Sequence, residues 1–179
     1  MQSVLLKIIC RTAALCLIAL AGSVSSFSAD DPVYAPLWLY QGSWIVTPKG
    51  LAPGVLPDQL TNDCALAGKY FACQQTVNGK ISALVIFVPA DTAGHYFTNA
   101  LLPDGYAGGR GELTISGDNW TYMGKSEDGG KTSYQRTRNT FTGKDRIHYE
   151  QGESADGVNW TMTGSGDEVR AAANSKSNH

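Results

Sequence analysis

The groups in this 179-residue sequence able to break a bond or hold a metal are three histidines, four cysteines and sixteen carboxylates. Their spacing assembles none of the usual devices. There is no Gly-x-Ser-x-Gly elbow, no cysteine beside an activating histidine and no His-x-x-x-His pair. His95, His148 and His179 stand apart. Carboxylates such as Asp128 and Asp156 fall at turns, where the side chain bonds its own backbone. The sequence therefore predicts no catalytic residue, no metal site and no cofactor, and an enzyme is the least supported class.

Binding chemistry is better represented. A three-residue turn at Thr142-Gly143-Lys144 would set Arg138 opposite His148 and Arg136 opposite Glu150. Facing inward, that row is a charged pocket floor that holds an anion by charge-assisted hydrogen bonds. Facing outward, it is a solvated ion-pair row contributing about 0–1 kcal/mol per pair. Alternation leaves both open, and the rarity of buried charge favours solvent. Trp44, Phe87, Phe97, Trp120, Tyr122 and Trp160 are candidate liners for a small apolar or amphiphilic molecule. The glycine-rich run from Gly105 to Gly111 leads into a strand and not a helix, so it predicts a bulged hairpin rather than a phosphate cradle.

These side chains need a scaffold, and the chain repeats one theme: short alternating runs broken by turn residues. Asn78-Gly79 is the strongest two-residue hairpin signal. Other turns are expected at Gly68-Lys69, 92–94, 103–105, Gly117-Asp118, 128–130, 142–144 and Asp156-Gly157. Strands are expected at 43–47, 62–66, 70–77, 80–88, 95–101, 111–116, 119–125, 132–141, 145–152 and 159–164, after a short helical piece at 37–40. The Gly117-Asp118 turn sets Ile115 opposite Trp120, Leu113 opposite Tyr122 and Thr114 opposite Thr121. In the Asn78-Gly79 hairpin both faces are apolar, Phe71, Leu84 and Ile86 on one, Val85 and Phe87 on the other. The 37–40 piece and the loop after Trp44 are the available covers. The fold expected is all-β, an antiparallel up-and-down meander of about nine or ten strands closing into a barrel, which leaves no exposed edge. A two-sheet sandwich is the alternative and needs longer connections.

One connection is long. Residues 48–58 carry Leu51, Val55 and Leu56, which either plug the barrel or form a lid over an opening. The tail 171–179 is polar and without periodicity, leaving 30–170 as a single domain.

The N-terminus reads as a secretory leader. Lys7 and Arg11 precede an apolar stretch, Thr12 to Ala21, too short for a spanning helix, and small residues follow up to Ala29. A cut between residues 21 and 29 makes the product periplasmic or secreted and takes the net charge from −2 to −4. That balance argues against nucleic acid and anionic membranes as partners. Cys10 and Cys16 leave with the leader, so Cys64 and Cys73 remain as a pair in an oxidising compartment. Counting outward from Gly68-Lys69 places them directly opposite at a non-hydrogen-bonded position, where a disulfide bridges the strands.

Gly42-Ser43-Trp44 resembles the Gly-x-Trp signature of lipocalin-like, or calycin, barrels. The run from Cys64 to Trp160 resembles small exported bacterial proteins classed as a domain of unknown function. It does so through the cysteine pair, the segment Gly111 to Tyr122, the segment Glu127 to Lys131 and the segment Ser154 to Trp160. The resemblance implies a barrel with Trp44 packed across its base and a small molecule in its interior. Haem-binding barrels of that superfamily continue the motif with further glycines, where this chain has Ile45-Val46-Thr47. Two functions follow as expectations: a carrier of a small apolar or amphiphilic ligand, or a filled barrel that serves as a structural or interaction module of the cell envelope. A ligand site needs roughly 300 Å³ of interior; a filled barrel has none.

Overall fold

The computed structural model describes residues 32–172. The segment read as a secretory leader, and all but the first two residues of the polar tail, lie outside the described residues. A short 3-10 helix, Ala35–Tyr40, precedes ten strands: β1 (Gly42–Pro48), β2 (Asp58–Ala67), β3 (Tyr70–Val77), β4 (Lys80–Pro89), β5 (His95–Leu101), β6 (Gly111–Ser116), β7 (Asn119–Asp128), β8 (Lys131–Thr142), β9 (Arg146–Ser154) and β10 (Thr161–Arg170). Each strand pairs antiparallel with its neighbours in sequence, and β10 returns to β1, so the meander closes into a barrel. All-β, antiparallel and closed, it has the expected architecture.

Turn chemistry sets much of the register. Gly68 takes φ +64°, and the pairs run outward from Ala67 with Tyr70 to Cys64 with Cys73. The two cysteines are bonded, with Cα atoms 4.0 Å apart, the close approach of a non-hydrogen-bonded pair. Asn78 and Gly79 both have positive φ, as a type I′ hairpin requires. The Gly117-Asp118 hairpin pairs Ile115 with Trp120 and Leu113 with Tyr122.

Two registers differ from expectation. In the Asn78-Gly79 hairpin the pairing steps from Thr76–Ile81 to Gln75–Ala83, leaving Ser82 as an extra residue. This bulge shifts β4 by one and reverses its faces relative to β3. Phe71 therefore lies opposite Phe87 and not with Leu84 and Ile86, which turn outward. At the other hairpin, Thr142 pairs with Arg146, so the turn is 143–145. Arg138 then faces Glu150, Arg136 faces Gly152 and His148 faces Thr140. The cause is Arg170, which bonds the Lys144 carbonyl and the Asp145 carboxylate and holds Asp145 in the turn.

The core fills one end of the barrel. Trp44, Phe71, Phe87, Tyr96, Leu113, Trp120, Phe141 and Ile147 are buried there, with Leu37 from the helix. The helix is the plug. Tyr34 and Tyr96 hydroxyls donate to the carbonyls of Lys69 and Val33, at 2.7 and 2.6 Å, pinning the lead-in across the barrel end. Trp38 meets Phe71 edge-on at 4.8 Å. The loop 49–57 does not plug: Val55 and Leu56 are 54% and 84% exposed at the opposite end.

No described helix is long and apolar enough to cross a membrane. Outward positions carry exposed charges at Asp63, Glu112, Arg138 and Asp167.

Loss of the cross-strand bond releases a small loop in the unfolded chain. Replacing Cys64 and Cys73 together with alanine should lower stability by about 2–3 kcal/mol, read by urea unfolding of the oxidised protein and the variant. Peptide mapping of the native protein without reductant should recover the two cysteines in one linked fragment. Two free thiols would contradict the pairing.

Candidate functional site

Above the plug the barrel is not filled. A cavity of about 480 Å³ occupies the half nearer the 49–57 loop. Alternation supplies its walls: Val46, Leu60, Val77, Val85, Phe87 and Ala100 form an apolar side. Tyr40, Gln75, Tyr122, Asn139, Tyr149 and Glu168 form a polar one.

Tyr40 is the floor. Its ring lies 6.4 Å from Trp44 and 6.1 Å from Trp120, on top of the core. Its carbonyl accepts from Trp44 Nε1 at 3.1 Å and from Asn62 Nδ2 at 3.2 Å. Gln75 Nε2 donates to Asn62 Oδ1 at 2.9 Å, completing the network around a fully buried asparagine. Gly166 makes room for Tyr149. A Cβ there would come within 2.6 Å of the Tyr149 hydroxyl.

The rest of the polar side is unsatisfied. Among the described residues Tyr122 Oη, Asn139 Oδ1 and Glu168 Oε2 are buried without a hydrogen-bond partner, and all three side chains line the cavity. Buried polar groups are ordinarily paired, so three such side chains along one cavity mark its polar side as the place for a polar guest. The Glu168 residue is only 6% exposed. Burial pushes its carboxyl up to about 7. Tyr122 and Tyr40 hydroxyls are also pushed up, first by burial and then by the nearby Glu168.

The wall has one weak seam. β5 and β6 pair only from His95–Thr114 to Thr98–Gly111. Beyond that the 102–110 loop patches the side, with the Gly108 amide donating to the Ala100 carbonyl at 2.8 Å. Where β6 does pair, it fits closely because Gly111 lacks a side chain: a Cβ would sit 2.7 Å from Thr98 Oγ1 and 2.9 Å from the Met123 carbonyl.

The nine predicted ligand residues separate by face. Phe87 and Tyr122 line the cavity. Trp44 and Trp120 lie inside but in the core below it. Phe97 is on the outer wall, since Thr98 and Ala100 take the inner positions of β5 and Arg110 stacks 3.6 Å over the Phe97 ring. Trp160 is not on a strand. Asp156 accepts from the amides of Val158 and Asn159, at 2.8 Å each, and holds 155–160 in a loop. There Trp160 covers the outer wall beneath Arg136, 4.1 Å away. Arg136, Arg138 and His148 alternate with the inward-facing Thr137, Asn139 and Tyr149, so this row is the barrel's outside and not a pocket floor. His148 pairs with Asp167 at 2.9 Å, and His95 with Glu112 at 3.2 Å, both on the surface. Sequence reasoning missed Tyr40, Asn139, Tyr149 and Glu168, because inward polar residues leave no apolar alternation to find.

No family model matches the chain, and no curated protein matches it. Among solved structures, the crystal structure of Rv2717c from M. tuberculosis aligns with 79% of this chain and 98% of that one, at 16% identity and a TM-score of 0.46. A likeness of that size carries no functional reading. Fold and interior define the class directly: a closed ten-stranded barrel, plugged at one end, with a half-polar lumen.

The raised carboxyl makes stability depend on pH with a definite sign. An unfolded glutamate titrates near 4.5 and the folded Glu168 near 7. The contribution is therefore full below about 4.5 and is lost as pH rises through 7. Ligand-free protein should melt higher at pH 5 than at pH 8, and this group should account for on the order of 3 kcal/mol of the difference. Glu168→Gln should flatten that part of the profile and raise the melting temperature at pH 8. Superimposable profiles for the two proteins would show the carboxylate to be solvated or paired.

Proposed function

We propose that this is an exported barrel protein that carries a small amphiphilic molecule in its lumen. The observation that supports it is a cavity of about 480 Å³, apolar on one side and holding three orphaned polar atoms on the other. That volume passes the rough 300 Å³ that a ligand needs, which weighs against the filled-barrel alternative. The Cys64–Cys73 bond supports the export half of the reading, since such bonds persist in oxidising compartments. An amphiphile matches the lining: its chain against Val46, Leu60, Val77 and Val85, its polar group toward Tyr122, Asn139 and Glu168.

Titration with N-phenyl-1-naphthylamine, an uncharged fluorescent probe, tests the lumen directly. Ala100 lines the cavity, and Ala100→Trp should fill it, lowering probe affinity by more than about tenfold while keeping the far-ultraviolet spectrum. Equal binding to both proteins would place the probe outside the barrel and contradict the reading.

The 49–57 loop is the candidate lid, lying at the open end with an exposed apolar surface. Changing Leu51, Val55 and Leu56 together to serine removes little burial, so the melting temperature should move by no more than about 2 °C. Probe affinity should fall about threefold or more. Unchanged affinity with unchanged stability would remove the loop from the binding apparatus.

A further inference from the structure

The lumen has a charge asymmetry that an apolar guest does not call for. Its lining includes two carboxylates, Asp58 toward the mouth and Glu168 at depth, and no lysine, arginine or histidine. Glu168 and Asn139 are 6% and 3% exposed, and each presents an acceptor oxygen with no donor among the described residues. Tyr122 adds a third orphan oxygen, which accepts as readily as it donates. The rings of Tyr40, Tyr122 and Tyr149 line the same space, and aromatic faces attract cations. A buried carboxylate without a counter-charge is costly, and a cation brought by the guest offsets that cost above the pH at which the group protonates.

We propose that the polar end of the lumenal ligand is a protonated amine, a small organic ammonium held at the polar side of the cavity by Glu168, with Asn139 and Tyr122 beside it. This rests on the reading of the barrel as a lumenal carrier and narrows it to a class of ligand. The charge on the guest neutralises Glu168, its N–H groups are donors where the lining side chains offer acceptors, and its apolar part lies along Val85 and Leu60. A neutral alcohol supplies one donor and no charge. A carboxylate adds a second anion to a space that already holds two acids.

Calorimetric titration with octylammonium, octanol and octanoate tests this, since the three share a chain and differ in the head group. At pH 8 octylammonium should bind at least about tenfold tighter than octanol, with octanoate weakest. Lowering the pH protonates Glu168 and should erode the ammonium advantage by up to about tenfold per unit below 7, while octanol affinity stays level. The groups facing Glu168 are Tyr40 from the helix, Tyr122 of β7 and Tyr149 of β9, all pushed up in pKa and out of this range, and Asp58 of β2 at the mouth. Asp167, its neighbour on β10, faces outward to His148. Asp58→Asn should keep the pH dependence. Glu168→Gln should remove it and bring octylammonium to within about threefold of octanol. Equal affinity of wild-type protein for octylammonium and octanol at pH 8 would overturn the ammonium assignment and leave the carrier reading in place. Binding of none of the three, nor of the naphthylamine probe, would overturn the carrier reading itself.

Discussion

Arg170 gathers five groups that the chain brings from three places. Its guanidinium donates to the carbonyls of Gln41 and Leu39, to the Lys144 carbonyl and to the Asp145 carboxylate, and it lies 4.1 Å over the Trp44 ring. The last strand is thereby tied to the helix, to the first strand and to the β8–β9 turn. Closing β1 onto β10 would leave the barrel hollow at both ends. This clasp seats the helix in one of them, so the core condenses around Trp44, Trp120 and Phe141 at that end and the vacancy is confined to the other. Wherever the lumen is, it is there because the plug is fixed.

A half-filled barrel has an energetic consequence. The aromatic end supplies burial without leaving polar groups stranded, apart from Trp38 Nε1. The lumenal end does the opposite: among the described residues it leaves Glu168 Oε2, Asn139 Oδ1 and Tyr122 Oη without protein partners. Each unsatisfied buried group costs about 1–3 kcal/mol. Stability is concentrated at one end and given up at the other, the division expected when a scaffold positions a binding site. The short β5–β6 pairing belongs to the weaker half as well, since the seam patched by residues 102–110 opens onto lumen and not onto core.

Much of the fold is legible in the sequence because turns carry their own chemistry. Gly68-Lys69, Asn78-Gly79 and Gly117-Asp118 announce hairpins through residues that tolerate positive φ, and two of them pin the register to the residue. The Asn78-Gly79 hairpin shows the limit. Ser82 has no property that marks it as a bulge, and one extra residue was enough to exchange the faces of β4. The turn at 143–145 shows another, since Asp145 is held there by an arginine twenty-five residues away. The site itself was the least legible part. Strand readings look for apolar residues inside and polar residues outside, and β10 inverts this with Gly166 and Glu168 inward and Val169 outward. Its apparent end at Gly164 hid the residue on which the chemistry of the lumen turns. Conversely Phe97 and Trp160 looked like liners because aromatic residues are taken for core, and both serve on the outer wall as platforms for Arg110 and Arg136.

Those platforms bear on what the lumen can attract. Arg110 and Arg136 sit over outer-wall rings, Arg138 is exposed on the outer face, and Arg170 is spent on the clasp below the cavity. The sequence as a whole is nearly balanced in charge, yet the fold sorts it: the described arginines stand off the cavity, while Asp58 and Glu168 face into it. A low-dielectric wall concentrates the field of the charges it encloses, and the mouth is where that field reaches solvent. A net charge near zero therefore says little about the partner. The sign of the lumen is set by which face of the pleat each charged residue occupies, and here the inward face is acidic.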